Sequence, residues 1–200
     1  MQFNSQLYTK ICLKIGIIYS YGANEEESDG MKLTRIQFEV LVHVLDSKES
    51  LTAALGISRE EAERGIAEIS ETAVNWQAKK RNHCLQVLEA IDNNVPVEEF
   101  FEVPQTIQRI GNVAFVGAPF EMFQQTGFLI QKFAKMPYAL LLSNTNGTYG
   151  VYFATMEELS RGGYEVELFK VARVQPLADH ADRAYVSESL RNMEQLTNHQ

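Results

Sequence analysis

Glu121 is the acidic residue whose place in the sequence is best suited to binding a metal ion. It follows an apolar segment, VAFVGAP at 113–119, that predicts a buried strand, and it lies in FEMFQQTGFLIQKFAK at 120–135, which predicts a helix. In the first turn of that helix, free N–H groups and the helix dipole would favour the ionised carboxylate. A charged ligand at a strand end is what a metal site needs, although acidic residues also occupy first turns simply as caps.

Tyr164 follows two glycines, Gly162 and Gly163, and precedes the segment EVELFKV. The glycines predict a tight turn, and the alternation after them predicts a strand. Glycines at this position would let the phenol point into a cleft, but an ordinary tyrosine at the start of a strand has the same sequence. The preferred interpretation of Asn146-Gly147 is likewise a tight turn, and the alternative is a loop that lines a substrate site.

Histidines are few, and their positions do not predict a metal site. The sequence contains His43, His83, His180 and His199. His180 lies in DHAD, which opens a predicted C-terminal helix, where consecutive residues do not share a face. His43 falls on the polar side of a predicted strand. No nucleophile-elbow pattern occurs, so a serine-histidine triad is not supported either.

The elements that position these residues follow from the hydrophobic pattern. Alternation from Arg35 to Val44 predicts a half-buried strand. A helix is expected to begin at Asp46 or Ser47, and a capping box of Ser58 and Glu61 predicts the start of a second. Apolar residues of that second helix keep helical spacing, in a pattern that can be continued further: Ala62, Ile66, Ile69, Ala73, Trp76, Cys84, Leu88 and Ile91. Trp76 is therefore expected to be a core residue.

Later segments predict a hairpin and a terminal helix. Glu102 to Ile110 and Val113 to Val116 flank the turn sequence Gly111-Asn112. In the helix predicted at 120–135, one face carries Phe123, Gly127, Ile130 and Ala134, with Gly127 permitting close packing on the sheet. Val171 to Gln175 is expected to be a strand extension or a connection. Leu177 to Leu196 predicts a helix with Val186, Leu190 and Met193 on its apolar face.

These elements predict an α/β fold with a mixed, largely antiparallel sheet and packed helices, forming part of a larger layered catalytic domain. Residues 1–31 are expected to be an N-terminal strand and turn segment, with Asn24 to Gly30 a solvated turn, and 32–200 a single globular region. A faint secretory signal at Lys10 to Ala23 is interrupted by Lys14, so a strand or an internal start codon explains it better. The compartment stays open between the cytoplasm and secretion through a missing N-terminus.

Composition narrows the partners. The chain has 200 residues, 45% of them hydrophobic, and a formal net charge of -8. That charge opposes binding to nucleic acid and to anionic membrane surfaces, and no apolar run is long enough for a membrane span. Cys12 and Cys84 lack metal or redox spacing, and are expected to be two buried thiols rather than one disulfide.

A winged helix-turn-helix is an alternative interpretation of 34–72, because LTAALGIS before a helix is typical of that fold. Its three helices would be Thr34 to Leu45, Ser50 to Gly56 and Ser58 to Ser70. The second half of the pattern, REEAERGIAEIS, carries four glutamates against two arginines, and DNA would repel so acidic a helix.

Three groups of residues, in order along the chain, carry a family resemblance. A strand ends in a Pro-x-Glu sequence, followed by a phenylalanine and a helical glycine: Pro119, Phe120, Glu121, Phe123 and Gly127. An Asn-Gly turn then leads to a glycine, a tyrosine and a threonine, with one extra residue before the tyrosine: Asn146, Gly147, Gly150, Tyr152 and Thr155. The last group is Gly162, Gly163, Tyr164 and Glu165. Together they resemble the C-terminal half of the catalytic domain in the neutral/alkaline (non-lysosomal) ceramidase-like family of zinc amidases.

The resemblance is strongest from Ile107 to Phe169 and diffuse from Lys32 to Leu196. It implies zinc held by two histidines from the first half of the domain, with Glu121 and Tyr164 as the other two ligands. A carboxylate oxygen is a good zinc donor, and a phenol becomes one when the cation lowers its pKa. The metal would polarise an amide carbonyl and activate a nucleophile, with an N-acyl lipid or related amide as substrate.

Two departures from the family pattern limit what the resemblance implies. Phe120 replaces the glycine that usually precedes the glutamate, and is expected to narrow or reshape the site. None of the four histidines belongs to the histidine motifs of the family's first half, which also supplies the proposed serine nucleophile. No catalytic residue is therefore assigned within this chain, and two oxygen ligands alone would hold zinc weakly.

Three hypotheses follow from these observations. The chain is a ceramidase-like half-domain that needs a missing N-terminal half, or it is a catalytically silent binding module on the same half-fold that is a monomer or homo-oligomer. The DNA-binding interpretation is the third. The first predicts an exposed apolar docking surface, and the second predicts no bound zinc.

Overall fold

A computed structural model describes residues 24–28, 31–43, 55–95, 100–145, 147, 149–173, 176–178 and 180–198. Its main sheet has five strands: β1 (Asn24–Ser28), β2 (Met31–His43), β3 (Phe100–Ile110), β4 (Val113–Gly117) and β6 (Tyr138–Leu142). Strands β1 to β4 pair antiparallel in chain order, whereas β6 pairs parallel with β4. A second sheet pairs β5 (Glu121–Met122) with β7 (Tyr152–Phe153). The predicted mixed, largely antiparallel sheet is confirmed.

Strand β2 forms where the alternation in the sequence predicts a strand, and it corrects two other expectations. It pairs with β3 from Leu33 opposite Ile110 to His43 opposite Phe100. The winged-helix interpretation is wrong in its first helix, because β-branched and aromatic residues at period two favour a strand. Asn24 to Gly30 is not simply a turn either, since β1 forms a hairpin with β2 through Ser28 and Met31.

The hairpin at Gly111-Asn112 forms as predicted. Ile110 lies opposite Val113, and Gly111 has φ 56°, a left-handed conformation that glycine adopts readily. The next strand, β6, begins at the same end of the sheet, where the Tyr138 N–H donates to the carbonyl of Asn112 at 3.3 Å.

Two helices replace the single long helix suggested by the apolar spacing. Helix α1 (Arg59–Glu68) begins with the predicted capping box of Ser58 and Glu61, and helix α2 (Asn75–Asp92) follows. Between them, the Ser70 hydroxyl accepts from the Thr72 N–H at 3.2 Å, and the Ala73 N–H donates to the Ser70 carbonyl at 3.0 Å. Such side-chain bonds compete with the helical ladder and break it here.

Four more helices complete the described residues: α3 (Gln124–Phe133), α4 (Met156–Arg161), α5 (Tyr164–Arg173) and α6 (Ala181–Asn198). The C-terminal helix is confirmed, with Val186 and Met193 buried. The strand predicted for EVELFKV is wrong, and so is the strand extension from Val171, because 164–173 is helical. Short apolar runs do not separate the two structures by periodicity, and Glu165 and Glu167 stabilise the first helical turn. No helix in the described ranges has the length and apolarity to cross a bilayer.

The main core lies between the sheet and helices α3, α5 and α6, and includes the fully buried Phe120, Phe153, Phe169 and Tyr185. Trp76 is partly buried against this core, as expected. A smaller cluster joins α1 to α2 through Leu55, Ala62, Cys84 and Val87. Cys84 is a buried free thiol. The predictions for residues 1–23, for the helix at Asp46 or Ser47, and for Asn146, Asp179 and His199 lie outside the described residues.

Candidate functional site

The sequence predicts Glu121 in the first turn of a helix, but the residue lies in the short strand β5. Helix α3 begins only at Gln124, after its cap residue Phe123. The Glu121 N–H donates to the Val151 carbonyl at 3.0 Å, and this bond commits the backbone to the strand ladder with β7. The helix-dipole argument for the Glu121 carboxylate therefore does not apply.

The backbone on either side of Glu121 is held by residues 143–145, 149 and 151. The carbonyls of Ala118, Pro119 and Phe120 accept from the N–H groups of Thr145, Tyr149 and Asn144 at 2.8, 2.8 and 2.9 Å. The Met122 N–H donates to the Ser143 hydroxyl at 3.0 Å. Regular hydrogen bonding thus continues past the end of β4, and the Glu121 side chain starts from a fixed backbone.

A buried network of polar side chains from β3 and α6 is hydrogen-bonded to the end of β4. The Tyr185 hydroxyl donates to the Gly117 carbonyl at 2.9 Å and accepts from the Gln105 amide at 2.9 Å. The same amide also contacts the Ser189 hydroxyl at 2.8 Å, and the Asn192 amide donates to the Gln105 oxygen at 3.0 Å. Because these side chains are buried, their bonds hold helix α6 and the sheet in one arrangement.

Tyr152 lies beside Glu121, as its direct partner in the parallel pairing of β5 and β7. The neighbouring Glu121 carboxylate is the main cause that raises the Tyr152 pKa, because it favours the protonated phenol over a second negative charge beside it. Glu165 and Tyr164 raise the pKa of Tyr152 further. Tyr152 is partly buried against the main core.

Tyr164 is the first residue of helix α5, and its side chain is 53% exposed. Its ring contacts Tyr152 edge to face, with 6.3 Å between ring centroids, and contacts Trp76 in the same way at 5.2 Å. Gly162 and Gly163 have φ angles of 70° and 114°, so the two glycines make the sharp connection from α4 that the sequence predicts. They lead into a helix rather than a strand.

The structure therefore brings Glu121 and Tyr164 to the same tyrosine, Tyr152. Glu121 and Tyr152 follow the carboxyl ends of the parallel strands β4 and β6 along the chain. The donor types fit half of a zinc site, since a carboxylate and a phenol are both acceptable zinc ligands. Within the described ranges, no group of three or more His, Cys, Asp and Glu residues is placed to hold a metal ion.

The sequence analysis expects the Phe120 ring to narrow or reshape the site, but the ring is buried in the core instead. Its side chain is fully buried and contacts Phe153, Tyr149 and Phe169, with ring centroids 4.9, 5.0 and 6.3 Å away. Adjacent residues of an extended chain point in opposite directions. The Phe120 ring therefore anchors the segment in the core while Glu121 remains partly exposed.

The described histidines do not join Glu121 and Tyr164. His83 is buried within α2, and His180 directly precedes α6. His43 ends strand β2, at the start of β3. Tyr152 also belongs to the site, although the sequence indicates it only as one of the residues that carry the family resemblance. Its pairing with Glu121 depends on two strands that are distant in the sequence, and no local pattern predicts it.

Comparisons with known proteins place few constraints on the chain. No family model and no curated protein matches the sequence. The solved structure of the neutral ceramidase from Pseudomonas aeruginosa is similar, with a TM-score of 0.37 and 14% sequence identity over 86% of this chain. This chain spans 26% of that structure's length. The likeness defines neither the family nor the activity of the chain.

Proposed function

We propose that this chain supplies half of the metal site of a ceramidase-like, zinc-dependent amide hydrolase, with Glu121 and Tyr164 as its two ligands. The observation that carries the proposal is that both residues lie beside Tyr152, Glu121 as its strand partner and Tyr164 through a ring contact. The three sequence landmarks that resemble the ceramidase-like family support it independently, since two of them contain these ligands. The substrate class is a linear amide such as an N-acyl lipid.

The remaining ligands and the nucleophile come from a second polypeptide segment in this proposal. Zinc prefers four ligands in a tetrahedral arrangement, and a carboxylate plus a phenol supply two. The chemistry that zinc adds to such a site is polarisation of the amide carbonyl and activation of a water or hydroxyl group. This chain's part is to hold a carboxylate and a phenol at fixed positions on an exposed surface.

Zinc titration of the full chain tests the ligand assignment. We expect weak, saturable binding of one Zn²⁺, with Glu121→Gln and Tyr164→Phe each reducing the affinity by about tenfold or more. Matched controls are Glu68→Gln on the exposed face of α1 and Tyr138→Phe at the start of β6, which is 59% exposed. Unchanged affinity in both site variants would reject the assignment.

Amide hydrolysis tests the activity. Co-expression with a histidine-bearing polypeptide encoded next to this chain should give stoichiometric zinc and hydrolysis of N-acyl amides, and both site variants should reduce hydrolysis. If the co-expressed pair binds no zinc and cleaves no amide, the chain is instead the silent binding module.

A further inference from the structure

Four aromatic side chains from separate parts of the chain form one row of ring contacts. Phe123 contacts Tyr152, and Tyr152 contacts Tyr164, with 6.3 Å between ring centroids in each case. Tyr164 in turn contacts Trp76 at 5.2 Å. The Tyr164 side chain is 53% exposed, and the other three are partly buried. The row therefore presents aromatic surface to solvent at Tyr164, between Tyr152 and Trp76.

The Trp76 end of this row already holds an ammonium group. Lys80 lies one helical turn after Trp76 in α2, and its Nζ is 5.5 Å from the centroid of the Trp76 ring. A cation within about 6 Å of a ring centroid is attracted by the negative face of the ring, and most strongly by tryptophan. The exposed ring of Tyr164 is the next one along the row and offers the same attraction.

The charges around the row favour a second cation. Glu165 follows Tyr164 in α5 and is exposed, and Glu167 lies in the same first helical turn. Their two carboxylates outweigh the partial positive charge of the helix N-terminus, which is equivalent to about half an elementary charge. Glu121 lies beside the row as the strand partner of Tyr152. The net charge of -8 also attracts cations to the molecule as a whole.

We infer that Tyr164 and Trp76, together with Glu165, bind a small organic ammonium ion. Such an ion carries apolar methyl or methylene groups that can lie on the aromatic rings, while its charge pairs with the carboxylate. A zwitterionic lipid headgroup fits less well, because its phosphate would meet the carboxylates of Glu165 and Glu121. None of these groups needs a metal ion to act in this way, so ammonium binding is independent of the proposed zinc site.

Trp76 is the single tryptophan of the chain, so tryptophan fluorescence reports directly on this surface. The full chain is titrated with choline chloride in the presence of a metal chelator. The two controls are sodium chloride at the same ionic strength and the neutral carbon analogue of choline, in which a tert-butyl group replaces the trimethylammonium group. We expect choline alone to give a saturable fluorescence change, with an upfield ring-current shift of its methyl protons. An equal response to the neutral analogue, or no saturable response to choline, would overturn the inference.

Substitutions at Tyr164 separate ammonium binding from zinc binding. Tyr164→Leu removes the ring and should weaken choline binding by about 3- to 30-fold, the range expected for one cation–π contact. Tyr164→Phe keeps the ring and loses the hydroxyl, so choline binding should be retained while the affinity for Zn²⁺ falls. Tyr138→Leu, at another exposed tyrosine, is the matched control. Unchanged choline affinity in Tyr164→Leu would contradict the assignment, whereas absence of Zn²⁺ binding with choline binding intact would overturn the proposed function alone.

Charge variants separate contact with the row from general attraction of cations. Glu165→Gln should weaken choline binding more than Glu68→Gln, which removes the same charge from an exposed position on α1. Lys80→Met frees the Trp76 ring from its own ammonium group. It should therefore tighten choline binding more than Lys79→Met, which removes the same charge from an exposed neighbouring residue. Equal effects within either pair would show long-range attraction alone and would reject a built ammonium site.

Discussion

At the scale of single residues, burial and hydrogen bonding set the protonation of the polar side chains. Tyr185 and Asp182 are buried, and desolvation raises the pKa of each. The neighbouring Glu121 carboxylate is the main cause that raises the pKa of Tyr152. His83 is the opposite case, since burial favours its neutral form and lowers its pKa to about 4, helped by the nearby Lys170 charge.

Buried His83 makes the stability of the fold depend on pH. In the unfolded chain His83 takes up a proton near pH 6.5, but in the folded chain only near pH 4. The free energy of unfolding should therefore fall as the pH drops from 6.5 to 4, by up to about 3 kcal/mol. Denaturant unfolding between pH 7 and pH 4 measures the effect, which His83→Gln should remove and His180→Gln should retain. The same slope in the wild type and in His83→Gln would contradict it.

At the scale of elements, two helical glycines have different surroundings. A methyl group added at Gly65 in α1 would lie 2.6 Å from the Cys84 sulfur, so α1 and α2 pack directly through this glycine. A methyl group added at Gly127 in α3 would lie 3.6 Å from Leu141, an ordinary contact. The close approach of helix and sheet expected at Gly127 is present, but it does not require glycine.

Alanine substitution should therefore have opposite effects at the two glycines. Gly65→Ala should destabilise the fold by about 1–3 kcal/mol through overpacking, whereas Gly127→Ala should stabilise it by up to about 1 kcal/mol through helix propensity. Thermal and denaturant unfolding measure both changes. Adding Cys84→Ala to Gly65→Ala should recover part of the loss, and a destabilisation that Cys84→Ala leaves unchanged would show that the cause lies elsewhere.

At the scale of the whole molecule, apolar burial is divided unequally. The main cluster joins strands β3, β4 and β6 to helices α3, α5 and α6, whereas the second cluster has only four buried residues, Leu55, Ala62, Cys84 and Val87. Local stability follows the number of buried apolar contacts. The α1–α2 pair is therefore expected to have a lower local stability than the sheet.

Hydrogen exchange should resolve this difference. The free energy of opening should be lower for the amides of α1 than for the amides of β3 and α6. Strand β3 carries the buried Gln105, and helix α6 carries the buried Tyr185. Mass-spectrometric exchange on the intact chain measures both groups, and Gly65→Ala should speed exchange in α1 without changing β3. Equal protection of α1 and β3 would indicate a single cooperative unit.

Local patterns in the sequence determined much of the architecture. The Gly111-Asn112 turn, the capping box of Ser58 and Glu61, the alternation in β2 and the apolar face of α6 all form as predicted. Each of them depends on neighbours within a few residues of the chain. The local sequence also made Glu121 and Tyr164 candidates, but their assignment as metal ligands came only through a resemblance.

Tertiary structure decided the features that local patterns leave open. EVELFKV fits a strand or a helix by periodicity, and the acidic first turn after Gly163 together with burial of Leu168 and Phe169 selects the helix. Glu121 fits a helical turn, and the bond of its N–H to Val151 selects the strand. The pairing of Tyr152 with Glu121 and the ring contact of Tyr152 with Tyr164 join three separate elements, and only packing of the fold can set such an arrangement.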